Sequence, residues 1–246
     1  TEIIVKIGSD YTENNREAEV RSFRFLAEGG PIPLDGLDNR VDYLFEDKNF
    51  DPSRLILIEN TAASSPAGYQ GLLESNAAYL SVDAYLNENF RLTAGVRSES
   101  GLQEVNTYDV FKPVDLNIEK TIDKNYTLPS FTLTYLPDFD ENLQVRLGLS
   151  KTIARPTFRE LSPTLFIDVD TDRVIAGSLY LENSELDNID LRVEYYWGFN
   201  QFLTAGFFYK DISKPIEEVV NESGDLIVTS YQNVPGAELT GFEIEY

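Results

Sequence analysis

The stretch AAYLSVDAYLNENFRLTAGVRSE, residues 77–99, alternates between an apolar and a polar set of side chains over residues 78–86 and again over residues 90–97. Apolar residues occupy every second position through Leu80 and Val82, and the alternation resumes from Phe90 after a turn at residues 87–89. Successive side chains of a β-strand point to opposite faces, so this alternation gives each strand one apolar and one polar face. The stretch therefore predicts a two-faced β-hairpin.

The same alternation returns elsewhere in the chain and predicts eight strands in all. They cover residues 3–7, 78–86, 90–96, 130–135, 143–149, 189–197, 203–209 and 242–246. Three of the connections are tight turns, whereas the others are long: roughly 12–75, 101–125, 154–186 and 213–233. The long connections hold most of the Pro, Asp, Glu and Asn residues. Short turns on one side and long acidic loops on the other are typical of outer-membrane barrels.

The composition excludes several classes of function. The 246-residue chain has 42 Asp and Glu residues against 20 Lys and Arg residues, a formal net charge of −22, and it has neither Cys nor His. Without these two residue types there is no disulfide, no thiol nucleophile and no Ser-His-Asp triad. The acidic balance argues against a nucleic-acid partner, whose phosphates require neutralisation by Lys and Arg. We therefore expect no catalytic residues, no cofactor and no enzymatic activity.

Alternation alone does not say whether the apolar faces meet a protein core or lipid. Charged residues in mid-strand, such as Asp83, Arg91 and Arg146, suit a lumen that is filled by water or by a plug. Aromatic residues also gather at the strand ends beside the turns, where the interfacial girdle of a barrel is expected. These aromatic residues are Tyr85, Phe90, Tyr135, Phe139, Tyr195, Tyr196, Trp197, Phe199 and Phe202. The two features favour an all-β, antiparallel transmembrane barrel over a soluble sandwich.

Several segments resemble the β-barrel of bacterial TonB-dependent outer-membrane receptors. They are residues 77–99, LPSFTLTYLPDFDENLQVRLGLSKTIARPTFRELSP (128–163), NIDLRVEYYWGFNQFLTAGFFYKDISKPIE (188–217) and NVPGAELTGFEIEY (233–246). The most specific piece is the strand followed by ARPTFREL, residues 154–161. The order and spacing of these segments carry the resemblance, since no single motif is diagnostic.

The resemblance implies energy-coupled uptake of a scarce nutrient across the outer membrane of a Gram-negative bacterium. The family has a barrel of about 22 strands whose lumen is plugged. Residues 1–246 hold about eight up-and-down strands and neither a recognisable plug nor a TonB box, so we expect them to be part of one barrel domain, with both ends on the short-turn side. The implied partners are outer-membrane lipid and lipopolysaccharide, the plug domain, the TonB energy-coupling protein and a nutrient. Siderophore, cobalamin, oligosaccharide and peptide remain open as ligands.

Two sets of charged residues are candidate site residues. Arg155, Arg159 and Glu160 follow a predicted strand and are predicted to bind ligand at the loop mouth; the alternative is a local salt-bridge cluster that shapes the loop. The second set is predicted to face the lumen, where it contacts the plug or is solvated. It comprises Arg97, Glu99, Arg146, Arg192, Glu194 and Glu243.

Asp168, Asp170 and Asp172 form a weak calcium candidate, because hard cations prefer clustered carboxylates. The segment is not an EF-hand loop, since Arg173 stands at the sixth position and Leu179 at the twelfth, where that loop requires Gly and Glu. A solvated acidic loop is the simpler interpretation, and we therefore predict no metal site.

Two other functions are compatible with the alternation. Eight strands can close by themselves, so a complete small outer-membrane barrel with a structural or adhesive role is one alternative. The other is a secreted soluble β-protein that binds or hydrolyses polysaccharide.

Overall fold

A computed structural model describes residues 3–27, 47, 55–61, 66–109, 111–168, 170–171, 173–223 and 226–246. These residues form fourteen strands and one short helix. The elements are β1 (Ile3–Glu19), β2 (Phe23–Ala27), β3 (Leu55–Glu59), β4 (Gly68–Tyr85), β5 (Phe90–Asp109), β6 (Lys112–Tyr135), β7 (Leu143–Ala154), α1 (Phe158–Leu161), β8 (Phe166–Asp168), β9 (Arg173–Ile175), β10 (Ser184–Gly198), β11 (Gln201–Ser213), β12 (Ile216–Ser223), β13 (Leu226–Asn233) and β14 (Gly236–Glu245). Within these ranges, no helix is both long and apolar enough to cross a bilayer.

Eight of the strands form one sheet in the order β1-β4-β5-β6-β7-β10-β11-β14. Every neighbouring pair is antiparallel, so the strands run up and down in chain order. The prediction of eight antiparallel strands is confirmed. The sheet is open, with β1 and β14 as its two edges in the described part of the chain.

The two faces of this sheet are the reverse of those in a soluble protein. Strand register aligns one row of apolar side chains across six strands, and this row lies on the exposed outer face. The row consists of Leu92, Leu133, Leu147, Leu191, Phe207 and Phe242, of which Phe242 is 78% exposed. The opposite face buries polar residues, including Glu99 at 7% and Glu194 at 3% exposure. An apolar face turned outward and a polar face turned inward characterise a transmembrane β-barrel.

Aromatic residues mark the turn end of the outer face. Phe90 stacks on Tyr135 with ring centroids 5.0 Å apart, and Trp197 lies 5.9 Å from Tyr195 and 6.3 Å from Tyr246. Such rings belong at the level of the lipid headgroups. Not every residue predicted for the girdle is on this face: Tyr85, Tyr196 and Phe202 alternate onto the inner face, where Arg91 lies over the Tyr85 ring at 5.5 Å.

The prediction of a long loop at 101–125 is wrong, since β5 continues to Asp109 and β6 begins at Lys112. The predicted connection 12–75 likewise begins and ends in strand, because β1 reaches Glu19 and β4 begins at Gly68; most of its middle lies outside the described residues.

The polarity of the two faces inverts beyond Glu99. Inward positions there include buried apolar residues (Tyr69, Val105, Ile122), and outward positions include exposed polar residues (Thr121, Asp123, Asn125). The strands therefore leave the bilayer at this level and continue into water.

The inverted part of the inner face packs against loop material. The residues Tyr69, Val105, Ile122, Phe158, Leu161 and Leu181 form one buried apolar cluster, with Ile216 and Tyr231 against it. The predicted connections 154–186 and 213–233 are thus only partly loops. The first contains α1, β8 and β9, and the second contains the hairpin β12–β13, which joins β8 and β9 in a four-stranded sheet. These elements fold over the inner wall and form one side of the barrel mouth.

Candidate functional site on the inner wall and mouth

A buried carboxylate connects three strands of the inner wall. Glu99 on β5 accepts hydrogen bonds from Arg155 at the end of β7 and from Arg97, whose Nε lies 2.7 Å from a Glu99 oxygen. Arg97 also reaches Asp10 on β1 at 3.2 Å. Two guanidinium groups against one buried carboxylate offset the cost of burying its charge. These four residues are named the Glu99 cluster.

Two glycines make room for the segment that follows β7. A β-carbon built on Gly101 would lie 2.6 Å from a terminal nitrogen of Arg155, and one built on Gly71 would lie 2.5 Å from Cγ of Phe158. The segment is also fixed by Gln103, whose buried Nε2 donates to the carbonyl oxygen of Pro156 at 2.7 Å. The sheet surface under residues 155–158 is therefore shaped to receive them.

The helix α1 is stabilised by a capping box. The Thr157 hydroxyl accepts from the backbone N–H of Glu160 at 3.3 Å, and the Glu160 carboxylate accepts from the backbone N–H of Thr157 at 2.6 Å. This reciprocal arrangement satisfies two N–H groups at the helix start. Arg159 is exposed and its guanidinium carbon lies 3.2 Å from the centroid of the Phe166 ring.

The three residues predicted at the loop mouth are therefore separated by role. Arg155 points into the Glu99 cluster, and Glu160 is occupied in the capping box. Arg159 borders a cavity of about 200 Å³ whose lining also includes Arg16, Tyr69 and Phe166. Only Arg159 of the three thus combines exposure with a cavity.

A second buried carboxylate lies lower on the same inner face. Glu194 contacts Arg192 at 2.9 Å and Arg146 at 3.3 Å, and it accepts a hydrogen bond from Gln144. Arg192 also lies 3.6 Å from Glu245 on the edge strand β14. We name Arg146, Arg192 and Glu194 the Glu194 cluster.

The six residues predicted to face the lumen share one face of the sheet. Five belong to the Glu99 and Glu194 clusters, and the sixth, Glu243, is exposed and pairs in register with Gly206. The alternation of the strands placed them together on this face. Their contact with a plug stays a prediction.

A polar latch at the mouth was missed by sequence reasoning. The Glu182 carboxylate contacts Lys214 at 2.6 Å and Lys124 at 3.4 Å. The backbone N–H of Glu182 donates to Asn233 Oδ1 at 2.8 Å. The two lysines hold the pKa of Glu182 below its ordinary range, chiefly through the hydrogen bond from Lys214. The partners lie 32, 58 and 51 residues away in sequence, so no local pattern signals their contact.

The calcium candidate is only partly described. Asp168 Oδ1 accepts the backbone N–H of Asp170 at 3.0 Å, and that hydrogen bond is the main cause of the lowered pKa of Asp168. Asp172 lies outside the described residues. Within the described ranges, no three or more carboxylates group in a way that could hold a metal ion.

An up-and-down antiparallel sheet with an apolar outer face and buried, arginine-paired carboxylates on its inner face defines the wall of an outer-membrane β-barrel. The family model for the TonB dependent receptor-like beta-barrel matches residues 10–246, and the chain belongs to this family. It is a protein of the Gram-negative outer membrane. No curated protein sequence matches it significantly.

Solved receptors share this fold at low sequence identity. The siderophore receptor PiuA of Acinetobacter baumannii has a TM-score of 0.59 at 13% identity, over 98% of this chain and 32% of that one. The Serratia marcescens hemophore receptor HasR, solved with its hemophore HasA and heme, has a TM-score of 0.56 at 11% identity. The match covers 98% of this chain and 39% of HasR. The ferric-catecholate import receptor Fiu of E. coli K12 has a TM-score of 0.55 at 15% identity, over 98% and 32%. The chain thus spans about a third of the length of these receptors.

Proposed function

We propose that the chain forms part of the wall and mouth of a receptor that imports a scarce nutrient by energy-coupled transport. The observation that carries this proposal is the pair of buried carboxylates, Glu99 and Glu194, on the face opposite the apolar surface. Buried charges require compensation. A wall that keeps such groups inward serves a lumen that holds polar material, which in this family is a plug and a passing ligand.

The partners of the proposed receptor follow from the family. A plug domain occludes the lumen and contacts the Glu194 cluster and Glu243, and the TonB protein supplies energy from the periplasmic side. The solved receptors with this fold are named for siderophores, ferric catecholates and heme. Iron chelates are therefore one candidate ligand class, beside cobalamin and oligosaccharides.

At the mouth, the proposed ligand contact is Arg159 rather than Arg155 or Glu160. Arg159 is exposed beside the cavity that Arg16 also borders, so two guanidinium groups are available there. Arg155 and Glu160 instead shape the segment that carries Arg159.

The two alternative functions are disfavoured by specific observations. A complete eight-stranded barrel requires β1 to pair with β14, whereas these strands are the two edges of the sheet. A soluble β-protein would bury an apolar row such as Leu147, Leu191 and Phe207, all of which are exposed.

Deletion of the full-length gene in its host tests the proposal. Nutrient-limited growth is measured on iron chelates, cobalamin and oligosaccharides as separate sole sources, with and without a functional TonB protein. We expect the deletion to abolish TonB-dependent growth on one of these sources, and the intact gene to restore it. Unchanged growth on every source would contradict an uptake function.

A further inference from the structure

A groove at the barrel mouth differs in chemistry from the inner wall. It has a volume of about 550 Å³ and lies between residues 177–181 and the hairpin β12–β13. All twelve of the described residues that line it are uncharged. The ion pairs of the Glu99 and Glu194 clusters are therefore absent from this surface.

One aromatic ring stands free at the groove. Tyr180 is 90% exposed, whereas the second tyrosine of the lining, Tyr231, packs against the buried apolar cluster. A phenol ring in this setting offers a flat face for stacking and one hydroxyl group for hydrogen bonding. Pyranose rings present a flat face of C–H groups that packs well against such a ring.

The turn that carries Tyr180 is fixed in place. The backbone N–H groups of Gly177 and Ser178 donate to the carbonyl oxygens of Ser162 at 2.8 Å and Glu160 at 2.6 Å. A β-carbon on Gly177 would lie only 2.3 Å from the Ser162 oxygen, so this close approach requires glycine. The ring is therefore carried on a rigid turn, which lowers the entropy cost of binding.

The opposite side of the groove supplies neutral hydrogen-bonding groups. Asn221 on β12 and Ser230 and Gln232 on β13 line it with two amides and a hydroxyl. Asn233 is already occupied by Glu182 and Lys214, so it fixes this side rather than serving a ligand. Amides act both as donors and as acceptors, which suits a ligand that is rich in hydroxyl groups.

The charge of the surroundings disfavours anionic ligands. The chain carries a net charge of −22, and Glu217, paired in register with Gln232, places a carboxylate on the same face of the hairpin. A carboxylate beside the groove repels an anionic ligand. An iron chelate with several negative charges would find no compensating cation among the groove's lining residues.

We propose that this groove binds a neutral oligosaccharide, with Tyr180 stacking on a sugar ring and Asn221, Ser230 and Gln232 binding its hydroxyl groups. This inference rests on the proposed uptake function and assigns its substrate class. It adds the groove as a second region of ligand contact beside the one proposed at Arg159.

Binding to the purified full-length receptor in detergent tests the assignment. Maltohexaose, cellohexaose, xylohexaose and laminarihexaose are titrated by calorimetry, with ferric tris-catecholate as the anionic probe. We expect at least one hexasaccharide to bind, Tyr180→Ala to weaken it at least tenfold, and Tyr180→Phe to stay within about threefold. Gln232→Ala is expected to weaken the same ligand while Tyr180 is intact.

Phe199→Ala is the matched control, because Phe199 is an equally free ring at 96% exposure but sits in a short turn at the other end of the barrel. Heat-dependent migration of the barrel on gels confirms that each variant is folded. Failure of all four hexasaccharides to bind, or equal affinity in Tyr180→Ala, would overturn the assignment.

The two proposals fail separately. Binding and uptake of the ferric complex without any hexasaccharide would leave the uptake function standing and remove the sugar assignment. Hexasaccharide binding by the receptor, with no growth defect in the deletion strain, would support the groove and remove the uptake function.

Discussion

The ring of Phe158 lies directly against the backbone of Gly71. A β-carbon on that glycine would come within 2.5 Å of the ring's Cγ, closer than any ordinary contact. The contact joins the mouth segment to β4 of the wall and anchors the buried apolar cluster. Residues 155–164 are thus part of the folded wall rather than a free loop.

Gly71→Ala is expected to loosen this segment, because the added methyl group overpacks the site. Overpacking of this kind costs about 1–3 kcal/mol. The measurement is limited trypsin cleavage after Arg159 in the full-length receptor, which we expect to accelerate. Gly206→Ala is the control, since a β-carbon there meets nothing within 4 Å. Equal cleavage rates in the two variants would show that Phe158 does not depend on Gly71.

Glu99→Gln is expected to destabilise the barrel by about 2 kcal/mol, because Arg97 and Arg155 lose their shared charge partner. Breaking a fully buried ion pair costs roughly 3–5 kcal/mol. The loss of stability is smaller here because Arg97 is partly exposed and still pairs with Asp10 in the variant. Guanidinium unfolding in lipid vesicles measures the change.

The matched control for that variant is Glu185→Gln. Glu185 pairs with Lys151 at 3.2 Å on the exposed surface, where an ion pair contributes little. If Glu185→Gln lowers the free energy of unfolding as much as Glu99→Gln does, burial of the Glu99 carboxylate is not the cause of its larger contribution to stability.

Phe207→Arg is expected to impair membrane assembly. An arginine on the lipid face of a barrel costs about 2–4 kcal/mol near the bilayer midplane. Gly206→Arg places the same side chain one residue away on the inner face, where space is open. We expect the amount of folded receptor in the outer-membrane fraction to fall for Phe207→Arg and to stay unchanged for Gly206→Arg. Similar amounts for the two variants would argue against lipid contact at the face that carries Phe207.

The latch at Glu182 predicts a pH dependence. Because the folded state lowers the pKa of this carboxyl, its stabilisation is present above the ordinary pKa of glutamic acid and is lost as the pH falls through the lowered value. Hydrogen exchange of the backbone N–H groups at residues 182–184 should therefore show weaker protection, after correction for the intrinsic rate, in acid than at neutral pH. In Glu182→Gln that difference should disappear; if it persists, another group controls the segment.

The sequence predicted the wall well because lipid imposes one simple rule. Between the turns and Glu99, most outward positions are apolar because they face lipid, so Leu80, Val82 and Leu92 alternate with polar residues and the pattern reveals the strands. Strand order followed, since successive hairpins pair with their neighbours.

The parts of the fold that the sequence did not predict lie beyond Glu99, where the outer face no longer meets lipid. Above Glu99, water replaces lipid on the outer face and loop material covers the inner face, so the apolar side switches and the alternation loses its phase. Residues 101–125 then resemble a loop although they are strands. The Glu182 latch and the Phe158–Gly71 contact join residues far apart in sequence, which no local pattern reveals.

Alternate positions of β10 and β11 face lipid and the lumen, so the two sets of side chains meet different solvents. The chain contains no Cys, so single cysteines in these strands can be spin-labelled without competing sites in the chain. Labels are placed at residues 189–194 and 204–208 of the full-length receptor in lipid vesicles, and their collision rates with oxygen and with a water-soluble nickel complex are measured. We expect oxygen contact to peak at Leu191, Val193 and Phe207, and nickel contact to peak at Arg192 and Gly206. A uniform profile, or peaks of the opposite phase, would show that the apolar face of this sheet does not face lipid.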